Sequence, residues 1–136
     1  MPEVVFEPRY ELPDLRNPAL ECLREIILDP FRPGRAFGEA GITFRDGERV
    51  VSLLFITDPQ WGYYLKYNAG VDEWLSLGDS TLLEKVICPD DCQASAGLFI
   101  SAEKAWLAIR EFCVAGTRCS QIDWIRPRDV PPDGNY

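Results

Sequence analysis

Apolar and polar residues alternate in several short segments after residue 40, a pattern that predicts the strands of an antiparallel sheet. The predicted strands are 41–45, 48–57, 61–68 and 73–78, a short edge strand at 84–88, and a last strand at 120–126. The Asp46-Gly47 pair indicates a tight hairpin between the first two strands. The unbroken apolar run from Val50 to Ile56 is typical of a central strand that is covered on both faces.

Two other segments repeat their apolar residues with the period of a helix. The first begins at Asn17, which is suited to capping, and ends at Pro30. Its apolar residues are Leu20, Leu23, Ile26 and Ile27. The second begins after Ser101 and ends at Gly116. Its apolar stripe comprises Ala105, Trp106, Ile109, Phe112 and Cys113.

Together these elements predict a single α+β domain over residues 1–126. Two helices should pack on one face of a mostly antiparallel sheet of about five or six strands. The remaining segment, 127–136, is rich in proline and is expected to be a flexible tail.

Alternation within each strand also assigns side chains to the two faces of the sheet. The face toward the helices is predicted to carry Ile42, Phe44, Leu53, Phe55, Leu65, Leu75, Leu77, Ile122 and Trp124. The opposite face is predicted to carry Thr43, Arg45, Ser52, Tyr64, Lys66, Trp74, Ser76 and Asp123. A face that mixes aromatic and polar side chains is typical of a recognition surface. The alternative is that loops cover this face and that Trp74 packs beneath them.

The 136-residue chain is acidic, with a formal net charge of −8 and a pI near 4.5. Nucleic acids and anionic membranes require a basic footprint, so neither is expected as a direct partner. The charge fits a basic protein partner, but it also fits a domain that needs only to stay in solution. The chain has no apolar run of about 18 residues and begins without a signal segment, so a cytoplasmic protein is expected.

The residues that carry most enzyme and metal chemistry are absent or isolated. The chain has no histidine and no nucleophile-elbow, Walker or dinucleotide-binding motif. Cys88 and Cys92 have a C-x3-C spacing, but no second pair and no histidine completes a zinc site. Asp72, Glu73 and Asp79 lie close in sequence, yet neighbouring acids are common in so acidic a chain. We therefore expect no metal, no cofactor and no enzymatic activity.

Six residues are the candidates for contact with a protein partner. They are Tyr64, Asp72, Trp74, Asp79, Asp90 and Asp91. The two aromatic residues would supply an anchor, and the acids flank it or lie in the loop after residue 88. Solvated loop charge is the alternative explanation for the acids.

Four short motifs occur in an order that resembles a known family. They are Trp74-Leu75-Ser76-Leu77-Gly78, the A-x-x-A-I-x-x-F helix from Ala105 to Phe112, Gly116-Thr117-Arg118, and Ile122-Asp123-Trp124. This order resembles the first-numbered family of immunity proteins of bacterial polymorphic-toxin systems. The resemblance covers about residues 40–126, whereas the N-terminal stretch and the Cys88–Cys92 segment depart from it.

The resemblance implies a cytoplasmic protein that binds and neutralises a cognate toxin domain. Such toxins are often nucleases or nucleic-acid deaminases, whose basic substrate clefts fit an acidic neutraliser. In this interpretation Phe112 and Trp124 are core residues and Gly116 stops a helix. Two rival functions remain open. One is a small carboxylate enzyme or ligand-binding domain with a Tyr64/Trp74 pocket, and the other is an adaptor or chaperone of a secreted effector.

Overall fold

The computed structural model describes residues 2–8, 13–29, 39–88 and 93–136, and within them the chain forms ten strands and two α-helices. In chain order these are β1 Glu3–Glu7, β2 Leu15–Arg16, α1 Leu20–Leu28, β3 Glu39–Asp46, β4 Arg49–Asp58, β5 Gly62–Ala69, β6 Asp72–Leu77, β7 Val86–Ile87, β8 Ala94–Ser95, β9 Phe99–Ile100, α2 Ala102–Ala115 and β10 Asp123–Ile125. Among the described residues, no helix is long and apolar enough to cross a membrane.

The main sheet is antiparallel and has the strand order β10-β6-β5-β4-β3-β1-β2. Strand β9 joins the same sheet by pairing with β5, and β7 pairs with β8 in a small second sheet. Two-residue turns at 47–48 and 70–71 close the β3–β4 and β5–β6 hairpins. The predicted hairpin after β3 is therefore confirmed. The α+β class is also confirmed, but the sheet has more strands than the pattern predicts.

The additional strands come from segments with little or no repeating pattern. Strand β1 lies in the N-terminal stretch, where Phe6 is buried and meets the ring of Phe55 edge-on at 6.2 Å. Strands β2, β7, β8 and β9 are each two residues long. Alternation cannot be recognised over two residues, so the pattern misses β2, β8 and β9, whereas β7 lies within the edge strand predicted at 84–88.

Both helices end close to the predicted places, but α1 begins later than predicted. Asn17 does not cap α1, because its side-chain oxygen accepts a hydrogen bond from the Val4 N–H at 2.9 Å. The Asn17 N–H in turn donates to the Val4 carbonyl at 2.6 Å, so both hydrogen bonds of this residue join it to β1. In α2, Ser101 caps the first turn through the Lys104 N–H, as predicted. Gly116 ends α2 in the left-handed region at φ 67°.

Apolar side chains form two clusters on opposite faces of the sheet. The first, the helix-side core, joins the sheet to both helices and contains Phe6, Leu23, Ile27, Ala40, Ile42, Phe44, Val51, Leu53, Phe55, Tyr63, Leu65, Tyr67, Ile100, Ala105, Ala108, Ile109, Phe112, Cys119 and Ile122. The second cluster covers part of the other face and contains Ile56, Tyr64, Leu75, Leu83, Ala94, Leu98 and Phe99. Elsewhere that face is open, and Val50 is 44% exposed, so the β4 run is not covered on both faces along its whole length.

Most of the predicted face assignments agree with these clusters, but those in β6 are wrong. Leu75 is buried in the second cluster and Leu77 packs against it, so neither faces the helices. Trp74 packs against the helix-side core instead. The physical reason is the register of the hairpin, in which Tyr67 lies opposite Trp74 and Lys66 opposite Leu75. Directly opposed residues of an antiparallel pair point to the same face, so Trp74 follows Tyr67.

The segment 127–136 makes specific contacts, where the composition predicts a flexible tail. Val130 packs against the second cluster, and Gly134 lies against the Leu83 carbonyl. Ser95 and Asn135 exchange two hydrogen bonds: the Ser95 N–H donates to the Asn135 carbonyl at 2.8 Å, and the Asn135 N–H donates to Ser95 Oγ at 2.9 Å. These contacts join the segment to β8.

Candidate functional site

Of the six predicted partner residues, the structure brings two together and places two others apart from them. Asp72 and Trp74 lie at the start of β6, on the helix side of the sheet. Tyr64 lies on the opposite face and Asp79 lies beyond the other end of β6. Asp90 and Asp91 lie outside the described residues.

Trp74 is half-buried and is held between two arginine side chains. The guanidinium carbon of Arg118 lies 3.9 Å from the ring centroid, and that of Arg126 lies 3.8 Å from it. Two planar guanidinium groups cannot share one face of a ring at that distance, so they stack on opposite faces. Cation–π contacts of this kind are attractive because the ring face carries negative charge.

One of the two arginines also has a carboxylate partner within the chain. Arg126 donates to Asp72 Oδ1 at 2.6 Å, and the Trp74 indole N–H donates to Asp72 Oδ2 at 3.3 Å. The side chains of Arg126 and Asp72 are 32% and 44% exposed, so the cluster is open to solvent. We name Asp72, Trp74, Arg118 and Arg126 the Trp74 site.

Three elements meet at the Trp74 site. Strand β10 pairs with β6 so that Ile125 lies opposite Leu75, which brings Arg126, the next residue, beside Trp74. Arg118 follows the glycine that ends α2 by two residues and reaches the other face of the indole. The site therefore depends on long-range pairing between segments that are far apart in sequence.

Arg118 and Arg126 were not among the predicted site residues. Arg118 stands in the Gly116-Thr117-Arg118 motif, and Arg126 ends the last predicted strand. Neither position is marked as functional by its local pattern. The only available signal is that β10 could pair with β6, which would place an arginine beside an aromatic residue across the strands.

Tyr64 and Asp79 lie away from the Trp74 site and make other contacts within the chain. Tyr64 is 3% exposed and packs on Phe99 with ring centroids 5.8 Å apart, so the prediction that it shares a face with Trp74 is wrong. Asp79 is exposed and accepts hydrogen bonds from the Thr81 hydroxyl at 2.6 Å and the Thr81 N–H at 2.9 Å. These bonds, the side-chain one first, lower the pKa of Asp79, and they cap the short 3-10 turn that follows it.

Two residues of the Trp74-Leu75-Ser76-Leu77-Gly78 motif, Ser76 and Gly78, have clear structural roles. Ser76 is fully buried where β9 enters between β5 and β6, and its Oγ accepts from the Leu65 N–H at 2.9 Å and donates to the Leu98 carbonyl at 2.7 Å. Gly78 lies so close to β9 that an added Cβ would stand 2.0 Å from the Phe99 carbonyl oxygen. The motif therefore fixes the junction of three strands.

The described residues include two titratable side chains with raised pKa values and no metal-binding cluster. No group of three or more His, Cys, Asp or Glu side chains among them could hold a metal ion. Burial raises the pKa of the Cys113 thiol to about 12, so that thiol is protonated at neutral pH. Burial, and then the nearby Asp29, raise the pKa of Tyr63 to about 12, and its hydroxyl donates to the Ile27 carbonyl.

Comparisons with protein-family models, with curated proteins and with solved structures found no match. A function for this chain is therefore inferred from its own residues.

Proposed function

We propose that this protein is an immunity protein that binds a cognate bacterial toxin domain and neutralises it by stoichiometric occlusion. The observation that carries the proposal is the Trp74 site, in which a half-buried tryptophan is held between two arginines. Tryptophan and arginine are the residues most enriched among those that dominate binding energy at protein interfaces. Because the indole is held on both faces, little side-chain entropy is lost when a partner binds it.

The charge of the chain supports the nature of the partner. A net charge of −8 favours association with a basic surface, and toxins that act on nucleic acids need such a surface for their substrate. We therefore propose a nuclease or nucleic-acid deaminase domain as the partner. In this proposal the protein acts in the cytoplasm and needs no cofactor.

The rival proposals have less support from the geometry. An enzyme or ligand-binding domain with a pocket between Tyr64 and Trp74 would need both side chains on one face, and they lie on opposite faces. Asp72 is paired with Arg126, and Asp79 caps a turn, so each carboxylate already has a partner within the chain. An adaptor or chaperone role would use the same kind of interface, and the toxin assay below separates it from immunity.

The test is protection of cells from the toxin. A candidate toxin domain, sought first in the neighbouring gene, is expressed alone, with the intact protein, and with Trp74→Ala or Arg118→Ala. We expect the intact protein to restore growth and each variant to protect less. If both variants protect as well as the intact protein, the Trp74 site is not the binding surface. If the intact protein gives no protection, the immunity proposal is wrong.

The chain provides matched controls for both variants. Trp61 is also a half-buried tryptophan, and the Lys85 ammonium lies 4.9 Å from its ring centroid, but Trp61 packs against the second cluster. Trp61→Ala and Lys85→Ala therefore remove the same kinds of side chain at a different surface. We expect both controls to protect as well as the intact protein.

A further inference from the structure

We infer that the Arg118 side of the Trp74 site is a binding position for a carboxylate group supplied from outside the chain. The inference concerns a single ligand group and does not depend on the immunity proposal. It follows from a difference between the two halves of the arginine–tryptophan stack.

The two arginines contact the indole in the same way but differ in their other partners. On one face, Arg126 has an internal carboxylate at its edge, because it donates to Asp72 at 2.6 Å. On the other face, Arg118 stacks at nearly the same distance, and within the described residues it makes no hydrogen bond or ion pair. Arg126 is stacked on the indole and has a carboxylate, that of Asp72, at its edge. Arg118 is stacked on the indole in the same way, but the described residues supply no carboxylate at its edge.

Stacking prepares the Arg118 guanidinium to receive such a group. A guanidinium that lies flat on a ring keeps its N–H donors in its own plane, directed outward from its edge. The ring fixes the orientation of this plane and removes water from one face, so less entropy is lost when a ligand binds. Two parallel N–H donors then match the two oxygens of a carboxylate.

The surrounding charge favours a carboxylate over a phosphate. Asp72 is bonded to Trp74 and Arg126 in the same cluster, and the whole chain carries a net charge of −8. Asp72 balances the charge of Arg126, so Arg118 supplies one uncompensated positive charge, and the second charge of a dianion would meet the repulsion of the acidic chain. A carboxylate carries a single negative charge and needs only one planar pair of donors. An aspartate or glutamate side chain of a protein partner has this chemistry.

The test uses small carboxylates and nitrogen-15 NMR, and it needs no toxin. The Arg118 side-chain Nε–H and the Trp74 indole N–H are followed while acetate is added at constant ionic strength, with chloride as the balancing anion. We expect saturable shifts of the Arg118 signal with acetate. Separate additions of chloride alone over the same range of concentration should leave the signal unchanged, and inorganic phosphate should bind more weakly than acetate.

A blocked peptide with one glutamate distinguishes a protein side chain from a free carboxylate, and its glutamine counterpart is the control. We expect the glutamate peptide to shift the Arg118 signal at least as strongly as acetate at equal concentration. No shift with the glutamate peptide, or equal shifts with both peptides, would overturn the inference.

Two variants separate binding from a structural role. Arg118→Gln removes the charge, and Arg118→Lys keeps it but loses the planar pair of donors. Following the Trp74 indole signal, we expect the glutamine variant to bind acetate roughly tenfold more weakly and the lysine variant to fall between it and the intact protein. Lys85→Ala, at the cation–π contact with Trp61, should bind acetate as the intact protein does. Unchanged acetate binding in folded Arg118→Gln, or shifts centred on Lys85, would overturn the inference.

Discussion

Tyr67 and Trp74 lie directly opposite each other in the β5–β6 hairpin, and their side chains share the helix side of the sheet. The Tyr67 ring contacts Phe112 and Trp124 edge-on, at centroid distances of 6.1 and 6.5 Å. Its hydroxyl donates to the carbonyl of Gly116, where α2 ends. The Tyr67–Trp74 pair therefore links the exposed arginine–tryptophan stack to the buried core.

This link predicts that Trp74 contributes to stability as well as to binding. Trp74→Ala should lower the free energy of unfolding by about 2 kcal/mol, because it removes half-buried aromatic packing and two cation–π contacts. Trp74→Phe keeps a ring between the two arginines and should lose about half as much. Urea unfolding measures both losses. A change below about 0.5 kcal/mol for the alanine variant would show that the stack is not formed in solution.

Ser76 should be among the most sensitive polar positions in the chain. Its hydroxyl joins the Leu65 N–H and the Leu98 carbonyl in a fully buried place, so Ser76→Ala leaves two buried backbone groups without their bonds. We expect a loss of about 2–4 kcal/mol in thermal or urea unfolding. Ser52→Ala, on the open sheet face, is the matched control and should change stability by less than about 0.5 kcal/mol. Equal effects of the two changes would contradict the strand junction.

Trp124 should also be costly to remove, although it is half-buried rather than fully buried. It packs against the helix-side core, and its indole N–H donates to the Cys119 carbonyl at 2.8 Å. We expect Trp124→Ala to cost about 2–3 kcal/mol in urea unfolding, less than a fully buried tryptophan would. Trp124→Phe should recover most of the packing but not the hydrogen bond. A cost under about 1 kcal/mol would contradict its packing against Tyr67.

The sequence contains enough information to assign the side chains of β6 to the correct faces of the sheet, but not enough to predict the Trp74 site. Alternation assigns faces within one strand, but it does not relate one strand to the next. Recognising residues 70–71 as a two-residue turn would have placed Trp74 opposite Tyr67 and corrected the error. The helices and central strands have strong periodic patterns, which explains why they were predicted well.

The remaining features depend on contacts between distant segments. Arg126 lies beside Trp74 because β10 pairs with β6, nearly 50 residues away in sequence, and Arg118 reaches the same ring from the segment that follows α2. In the second cluster, Ile56, Tyr64 and Leu75 come from the long strands β4, β5 and β6, but the residues that cover them come from irregular segments and two-residue strands, which have no period to recognise. Asn17 resembles a helix cap by residue type, and only its pairing with Val4 reveals its role.

Long-range charge should govern how fast the toxin is captured. Asp90 and Asp91 remain candidates by sequence, and replacing both with asparagine should slow association and make the on-rate less dependent on salt. Glu21→Gln with Glu103→Gln changes the net charge equally, at exposed positions on α1 and α2. Stopped-flow mixing over a salt series compares the two pairs. Equal slowing by both would leave only a net-charge effect and remove any specific role of the loop.

The most direct measurement is a calorimetric titration of the purified toxin domain with this protein, with toxin activity assayed on the same samples. We predict a one-to-one complex and complete loss of activity at equivalence. Trp74→Ala should weaken the affinity roughly 30-fold or more, about 2 kcal/mol, and Trp61→Ala should leave it unchanged. Full toxin activity in the presence of excess intact protein, with no heat of binding, would contradict the proposed function.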